Sequence, residues 1–174
     1  MGERQSTIRK AIPSDSAGIL KCLRAAFDPH RNAYTLEAFA DTVLTPETHQ
    51  HRLATMRLFV AVTDAGEIVG TIGCHVVDPS VDPIVHSTEG HSTEGHIRGM
   101  AVLPAWQGSG IASQLLKSAE SELHDRGCLR ISLNTTEPLL KAMRFYEKNG
   151  FRQSGIVKDF FGMPLLEYIK TLTD

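Results

Sequence analysis

The chain has 174 residues, of which 41% are hydrophobic and 22% are charged; these values are ordinary for a globular protein, so we expect a single domain over residues 1–174. Lys and Arg number 18 and Asp and Glu number 20, a formal net charge of −2, which excludes the broad basic field that binds nucleic acid. No apolar run approaches the roughly 18 residues of a membrane-spanning helix and the N-terminus carries no hydrophobic leader, so we expect neither membrane insertion nor secretion.

The first half of the chain predicts a strand, two amphipathic helices and a hairpin. Apolar residues alternate in the predicted strands and recur on one face of the predicted helices. The approximate bounds are 7–12 (strand), 13–27 and 36–44 (helices), 58–62 and 68–77 (hairpin strands). Residues 45–55 are polar and contain His49 and His51, and we interpret them as a loop.

The second half predicts strand, helix, strand, helix and two closing strands. Its longest helix carries one apolar stripe and ends before Gly127, which is typical of a residue just beyond a helix. The approximate bounds are 97–103 (strand), 110–126 (helix), 129–133 (strand), 138–146 (helix), 151–157 and 165–172 (strands). The order βααβββαβαββ predicts an α/β fold, in which helices cover the faces of a mixed sheet.

Three cysteines, Cys22, Cys74 and Cys128, form an odd number without the C-x-x-C spacing of redox or zinc sites. We expect reduced, mostly buried thiols, as in a cytoplasmic protein. Cys128 as an acyl-carrying nucleophile is a weaker interpretation, because no base is visible near it and buried cysteines are much commoner.

Four of the eight histidines, at positions 75, 86, 91 and 96, lie in or beside a segment that contains a duplicated pentapeptide. The unit His-Ser-Thr-Glu-Gly occupies residues 86–90 and again 91–95, and one duplication of this length indicates a loop extension rather than a repeat architecture. Histidines five residues apart on a loop lack the spacing of zinc sites, so we predict no metal.

A glycine-rich turn joins the strand at 97–103 to the longest helix. Gly108, Gly110 and the small Ala112 let a ligand approach the backbone closely. The N–H groups of residues 108–113, together with the positive end of the helix dipole, would bind an anion without side-chain cations. A Gly-x-Gly alone fits a tightly packed connection equally well, and the P-loop and dinucleotide-binding patterns are both absent.

Three ordered motifs resolve this ambiguity. The segment Gln107-Gly108-Ser109-Gly110-Ile111-Ala112 resembles the Gln/Arg-x-x-Gly-x-Gly/Ala pyrophosphate motif of the GNAT superfamily of N-acetyltransferases. Upstream, Met100-Ala101-Val102-Leu103-Pro104 resembles the strand with which that family binds the pantetheine arm. Downstream, the segment from Ala142 to Phe151 is similar to the family signature Ala-x-x-x-Tyr-x-x-x-Gly-Phe.

The resemblance implies a GNAT-like acyl-CoA N-acyltransferase fold, acetyl-CoA as cofactor, and direct acetyl transfer to an amine in a ternary complex. The implied cofactor-binding residues are Met100, Ala101, Val102, Gln107, Gly108, Ser109, Gly110, Ile111, Ala112 and Ser113. The family carries an Asn where this chain has Leu139, so a polar contact to the cofactor is missing. Asn134 or Thr135 is the candidate replacement.

The same resemblance places Tyr146 at the position that protonates the departing thiolate, and we predict that it is the general acid. Packing of this aromatic ring in the core is the alternative. The N–H groups of Met100 and Ala101 are the candidate donors to the oxyanion. Gly99 would allow a bulge that separates this strand from the next.

The general base is open. Some members carry a Glu where this chain has His96, and an imidazole with an ordinary pKa near ~6.5 suits proton removal at neutral pH, directly or through water. A solvated histidine at the end of a loop is the competing interpretation. Glu94, His75 and a water molecule are the remaining alternatives.

The acceptor is predicted only as an amine of a small molecule or peptide, bound by the regions 28–55 and 78–95. The slight net acidity weakly favours a cationic acceptor, such as a polyamine, an aminoglycoside-like compound or a protein amine. The competing functional class is a non-catalytic acyl-CoA sensor or subunit with the same fold. Edge strands near the C-terminus make a homodimer plausible.

Overall fold

The structure is a computed structural model that describes residues 5–78 and 93–172. Seven strands form one sheet in the order β1-β2-β3-β4-β5-β7-β6, so the predicted α/β fold with a mixed sheet is confirmed. The strands are β1 (Ser6–Lys10), β2 (Arg57–Thr63), β3 (Ile68–Val76), β4 (Glu94–Val102), β5 (Arg130–Thr136), β6 (Arg152–Phe160) and β7 (Met163–Thr171). The α-helices of the described residues are α1 (Ser16–Phe27), α2 (Leu36–Val43), α3 (Pro46–Thr55), α4 (Ile111–Asp125) and α5 (Leu140–Lys148).

Helix α3 corrects the prediction of a loop at residues 45–55. Thr45 caps it by accepting a hydrogen bond from the Thr48 N–H at 3.3 Å, and Pro46 occupies the first helical turn. His49 is its one buried residue, so the helix lacks the apolar stripe on which periodicity depends. The missed signal is the Thr45-Pro46 pair, a typical helix start.

Helices α1 and α4 cover opposite faces of the sheet. Along β2, Phe59 packs in the cluster of α4, whereas Leu58 and Val60 pack in the cluster of α1, as the alternation of side chains along a strand requires. The predicted stripe of α4 is fully buried; its members are Ile111, Leu115, Leu116, Ala119 and Leu123. Each buried leucine of this kind contributes about 1.5–3 kcal/mol.

The sheet opens between β4 and β5. These strands pair in parallel only from Glu94↔Arg130 to Ile97↔Leu133, whereas β5 continues to pair with β7 as far as Thr136↔Leu165. The second half of β4 therefore has β3 on one side and an open edge on the other. An open strand edge exposes unpaired N–H and C=O groups to a ligand.

The bulge predicted at Gly99 marks this opening. Thr71 pairs with Ala101 but Gly73 pairs with Arg98, so one residue of β3 faces two of β4. Gly99 has φ +69, in the left-handed region that glycine tolerates best. The extra residue changes the course of β4 where it leaves β5.

Within the described residues, no helix is long and apolar enough to cross a membrane.

Candidate active site

A cleft of about 1380 Å³ extends from the opening between β4 and β5. One wall is the turn before α4 and the second half of β4, and the other includes β5 and α5. Residues from α1 to α3 and from the β6–β7 hairpin also line it. The topology therefore brings both predicted cofactor motifs and the predicted catalytic residues to one cavity.

The turn before α4 presents a cradle of backbone N–H groups. Gly108 and Gly110 have φ +80 and φ +87, and a Cβ at either position would meet no atom within 4 Å. These glycines are thus required by backbone conformation and not by packing. The first intrahelical bond runs from Gln114 N to Gly110 O, so the N–H groups of residues 110–113 precede the hydrogen-bond ladder of the helix. Such groups bind anions.

The residues of this motif differ in what they present to the cleft. Gly108, Gly110, Ala112 and Ser113 line it, whereas the side chain of Ile111 is buried in the core. The N–H and the hydroxyl of Ser109 both donate hydrogen bonds to Trp106 O within the turn. Gln107 lines the cleft, and its Nε2 donates to Val102 O at 3.3 Å. This last bond ties the turn to the end of β4.

The predicted pantetheine strand lines the same cavity through Met100, Ala101 and Val102. Across the opening, Asn134 Oδ1 and Thr135 Oγ1 are buried and, within the described part of the chain, accept or donate no hydrogen bond. Buried polar atoms are normally paired, so these two are poised for a partner with amide or hydroxyl groups. Leu139 also lines the cleft, and the two predicted replacements for the asparagine of the family, Asn134 and Thr135, are present on this side with unpaired polar atoms.

Tyr146 lies on α5 and contributes to both the core and the cleft. The residue is 7% exposed, and its ring packs against Phe145, Phe151 and Tyr168 at centroid distances of 5.6, 5.9 and 6.4 Å. No described residue hydrogen-bonds its hydroxyl. Burial raises the pKa of this phenol, so the hydroxyl stays protonated at neutral pH. A protonated phenol lining the cleft can donate a proton there.

His96 lies within β4 and lines the cleft, so the interpretation as a solvated residue at the end of a loop is wrong. Its Nδ1 is 2.9 Å from Ser132 Oγ, and its ring packs edge-on against His75 with centroids 5.6 Å apart. Burial, then the charges of His75, Arg98 and Lys158, lower the pKa of His96 to about 3. The expected pKa near ~6.5 is therefore wrong here.

Of the other two candidate bases, His75 lies in the cleft and Glu94 does not. His75 lines the cleft beside His96. Glu94 is buried, its Oε2 accepts a hydrogen bond from Arg130 Nη2 at 2.9 Å, and it is not among the described residues that line the cleft. The ion pair uses one carboxylate oxygen of Glu94, and the other, Oε1, is buried without a hydrogen-bond partner among the described residues. Because Glu94 does not line the described cleft, it is a poor candidate for the base.

No three His, Cys, Asp or Glu side chains of residues 5–78 and 93–172 are grouped as a metal site. His86 and His91 of the duplicated segment lie outside the described residues.

Cys22, Cys74 and Cys128 are buried free thiols, and burial is the first cause of the raised pKa of Cys128, which disfavours its thiolate.

Sequence reasoning missed the charged residues of the cleft. Arg52 of α3 lines it beside Arg98, whose Nη2 donates to Asp41 Oδ2 at 2.8 Å. On the opposite wall, Lys158 and Glu167 form an ion pair at 3.6 Å. The predicted loop at 45–55 concealed Arg52, and the pairings of the other residues depend on strand register that one sequence does not reveal.

The model of the "Acetyltransferase (GNAT) family" matches residues 20–151. The chain belongs to this family. The GNAT acetyltransferase is 30% identical over 159 residues to aminoglycoside N(6')-acetyltransferase type 1 of Stenotrophomonas maltophilia, covering 91% of this chain and 94% of that one. It is 33% identical over 118 residues to aminoalkylphosphonate N-acetyltransferase of Salmonella typhimurium, covering 68% and 66%.

Solved structures share the fold of this GNAT acetyltransferase. The PaiA N-acetyltransferase of Thermoplasma acidophilum, in complex with coenzyme A, matches with a TM-score of 0.74 at 17% identity, covering 97% of this chain and 99% of that one. A GNAT acetyltransferase of Staphylococcus aureus matches with a TM-score of 0.73 at 19% identity, covering 97% and 100%. The family match and the two curated relatives confirm the predicted enzyme class, an acetyl-CoA-dependent N-acetyltransferase.

Proposed function

We propose that this protein transfers the acetyl group of acetyl-CoA directly to a primary amine while both substrates occupy the cleft. The observation that carries the proposal is the continuity of that cleft, which joins the N-terminus of α4, the open edge of β4 and Tyr146. One cavity can then hold the cofactor and place its reactive end beside a proton donor.

The residues present fit acetyl-CoA on observations of this chain. The N–H groups of residues 110–113 suit the pyrophosphate. The unpaired buried atoms Asn134 Oδ1 and Thr135 Oγ1 suit the amide and hydroxyl groups of the pantetheine arm. When bound, the cofactor supplies an activated thioester and a thiolate leaving group.

Each catalytic requirement has a candidate group in the cleft. The N–H group of Met100 would stabilise negative charge on the acetyl oxygen, whereas the register Thr71↔Ala101 directs the N–H group of Ala101 to β3. The hydroxyl of Tyr146 would give its proton to the departing sulfur.

His96 would accept a hydrogen bond from the amine or from an intervening water, because its low pKa keeps it neutral but makes it a weak base. The proton that the amine loses would leave to solvent through that water. If Nδ1 donates to Ser132 Oγ, Nε2 is the accepting atom.

The acceptor is proposed to be an amine of a small molecule. The two curated relatives described above are named for an aminoglycoside and an aminoalkylphosphonate acceptor. Both names denote amine-bearing small molecules, which supports this class over a peptide.

The deciding experiment measures acetyl-CoA binding by calorimetry and thiol release with a panel of amines. We expect acetyl-CoA to bind and at least one amine to be acetylated, with the product confirmed by mass spectrometry. Tight binding without turnover on any amine would support the alternative, a non-catalytic acyl-CoA sensor. Failure to bind acetyl-CoA would overturn both functions.

Location and assembly remain predictions. The buried free thiols of Cys22, Cys74 and Cys128 are typical of a reducing compartment, which supports a cytoplasmic location. Strand β6 lies at an edge of the sheet, so a homodimer would pair through it. Light scattering coupled to gel filtration will measure the mass in solution.

A further inference from the structure

The guanidinium of Arg52 is a partly buried cation at the bulge of β4. Arg52 lies in the last turn of α3 and lines the cleft. Its Nη1 is so close to Gly99 that a Cβ there would stand 2.6 Å from it. Among residues 5–78 and 93–172, the guanidinium of Arg52 donates no hydrogen bond and has no carboxylate within ion-pair distance; the backbone carbonyl of Arg52 accepts only the bond from Met56 N that ends α3. Desolvation of an unpaired charge is costly.

The charged residues near Arg52 do not provide it with an ion-pair partner. Asp41, the carboxylate whose charge raises the pKa of Arg52, is itself ion-paired with Arg98, whose Nη2 lies 2.8 Å from Asp41 Oδ2. Burial and the charge of Arg98 lower the pKa of Arg52 to about 10, while Asp41 raises it. Arg52 therefore remains protonated at neutral pH, beside a second arginine and without a partner of its own in the described structure.

The other carboxylates that line the described part of the cleft do not pair with Arg52. Glu167 pairs with Lys158 at 3.6 Å, and Asp159 Oδ2 accepts from Gly162 N at 3.4 Å on the β6–β7 hairpin. Helix α5 adds further cations, namely Lys141, Arg144 and Lys148. The described wall of the cleft is therefore richer in cations than in carboxylates, although the whole chain is slightly acidic.

We propose that the acceptor amine also carries an anionic group, a carboxylate or a phosphonate, and that Arg52 binds this group. The inference rests on the proposed acetyl transfer, since it names the acceptor class of the same site. A guanidinium offers paired N–H donors that match the oxygens of such anions. Because Arg52 contacts Gly99, next to Met100 and Ala101, the bound anion would hold an amine a few bonds away close to the reacting thioester.

Matched amines test the charge requirement. β-Alanine is compared with β-alaninamide, and 2-aminoethylphosphonate with 2-aminoethanol; the first of each pair carries the anion. Spermidine and kanamycin represent cationic acceptors. We expect kcat/KM to be roughly 10–100-fold higher for the anionic member of at least one pair, and comparison of the two pairs distinguishes carboxylate from phosphonate.

Variants assign the preference to the residue. Arg52→Gln should raise KM for the preferred anionic amine roughly 10–100-fold and leave the uncharged partner within about twofold, while Arg52→Lys should fall between. Arg24→Gln is the matched control, because Arg24 is an exposed residue of α1 that does not line the described cleft. This variant should leave the KM of both the anionic amine and its uncharged partner unchanged. The acetyl-CoA affinity and circular dichroism of Arg52→Gln should match the wild type.

Other results overturn the proposal. If wild type prefers uncharged or cationic amines, or Arg52→Gln lowers activity equally on both members of a pair, Arg52 does not bind an acceptor anion, yet acetyl transfer stands. If acetyl-CoA does not bind, the proposed function itself fails. If acetyl-CoA binds but no amine reacts, calorimetry of β-alanine and 2-aminoethylphosphonate on the loaded protein decides: binding lost in Arg52→Gln supports the proposal, and no binding overturns it.

Discussion

The hydroxyl of Tyr146 is the group whose removal separates catalysis from packing. Tyr146→Phe keeps the ring in contact with Phe151 and Tyr168 but removes the proton donor from the cleft. We expect kcat to fall roughly 10²–10⁴-fold, the range for loss of a general acid, with the acetyl-CoA Kd unchanged. Tyr168→Phe is the control, because Tyr168 lies in the same cluster, bonds Glu147 and does not line the described cleft. Unchanged turnover in Tyr146→Phe would assign this tyrosine to the core alone.

A buried histidine of α3 is a separate case, concerned with stability. His49 is 1% exposed, and within the described structure neither ring nitrogen has a hydrogen-bond partner. Leaving such groups unpaired costs about 1–3 kcal/mol. We therefore expect His49→Leu to increase the free energy of unfolding at pH 7 by about 1 kcal/mol, measured by urea denaturation. His51→Leu, on the exposed face of the same helix, should give no such gain.

At the scale of elements, the two ends of α4 provide a matched test of the anion cradle. Gly110 precedes the helix with φ +87 and Gly127 follows it with φ +81, and a Cβ at either would meet no atom within 4 Å. Alanine at either position should thus cost a similar backbone strain of about 1–2 kcal/mol. Because only Gly110 adjoins the cleft, Gly110→Ala should weaken acetyl-CoA binding about tenfold while Gly127→Ala leaves it unchanged. Equal Kd values in the two variants would contradict a cradle at this turn.

The elements also show how far one sequence leads. Helix α4 was predicted because five apolar residues share one face, and the bulge because Gly99 interrupts β4. Helix α3 was missed because its stability depends on a cap and on tertiary contacts more than on an apolar stripe. The consequence reached the site, since Arg52 belongs to that helix. Asn134 Oδ1 and Thr135 Oγ1 lack hydrogen-bond partners where β5 has separated from β4. That separation depends on strand register, which composition does not reveal.

At the scale of the whole molecule, near-zero net charge and a polyanionic cofactor are compatible. The proposed pyrophosphate site uses backbone N–H groups, which do not enter the formal charge of −2. The described part of the cleft nevertheless concentrates cations, so charge is distributed locally even though it nearly cancels overall. The acceptor class is accordingly inferred from Arg52 and its neighbours and not from composition.

The stability of the whole molecule in acid depends on its buried histidines. Burial lowers the pKa of both His49 and His96, the latter to about 3. Each is neutral when folded but takes up a proton near pH ~6.5 when unfolded, so the stabilisation is complete above that pH and is lost as pH falls toward the folded pKa. The limiting slope is about 1.4 kcal/mol per pH unit for each histidine.

Carboxylates act in a lower window. Hydrogen bonds from Arg9 lower the pKa of Asp15, so its contribution is present above pH ~3.9 and disappears below it. Loss of stability between pH 6.5 and 4.5 therefore reports the histidines. We expect urea midpoints to fall steadily over that interval, with a shallower slope in His49→Leu than in wild type or His51→Leu. Identical slopes in all three would show that His49 is protonated equally in the folded and unfolded states, contrary to the burial that the structure gives it.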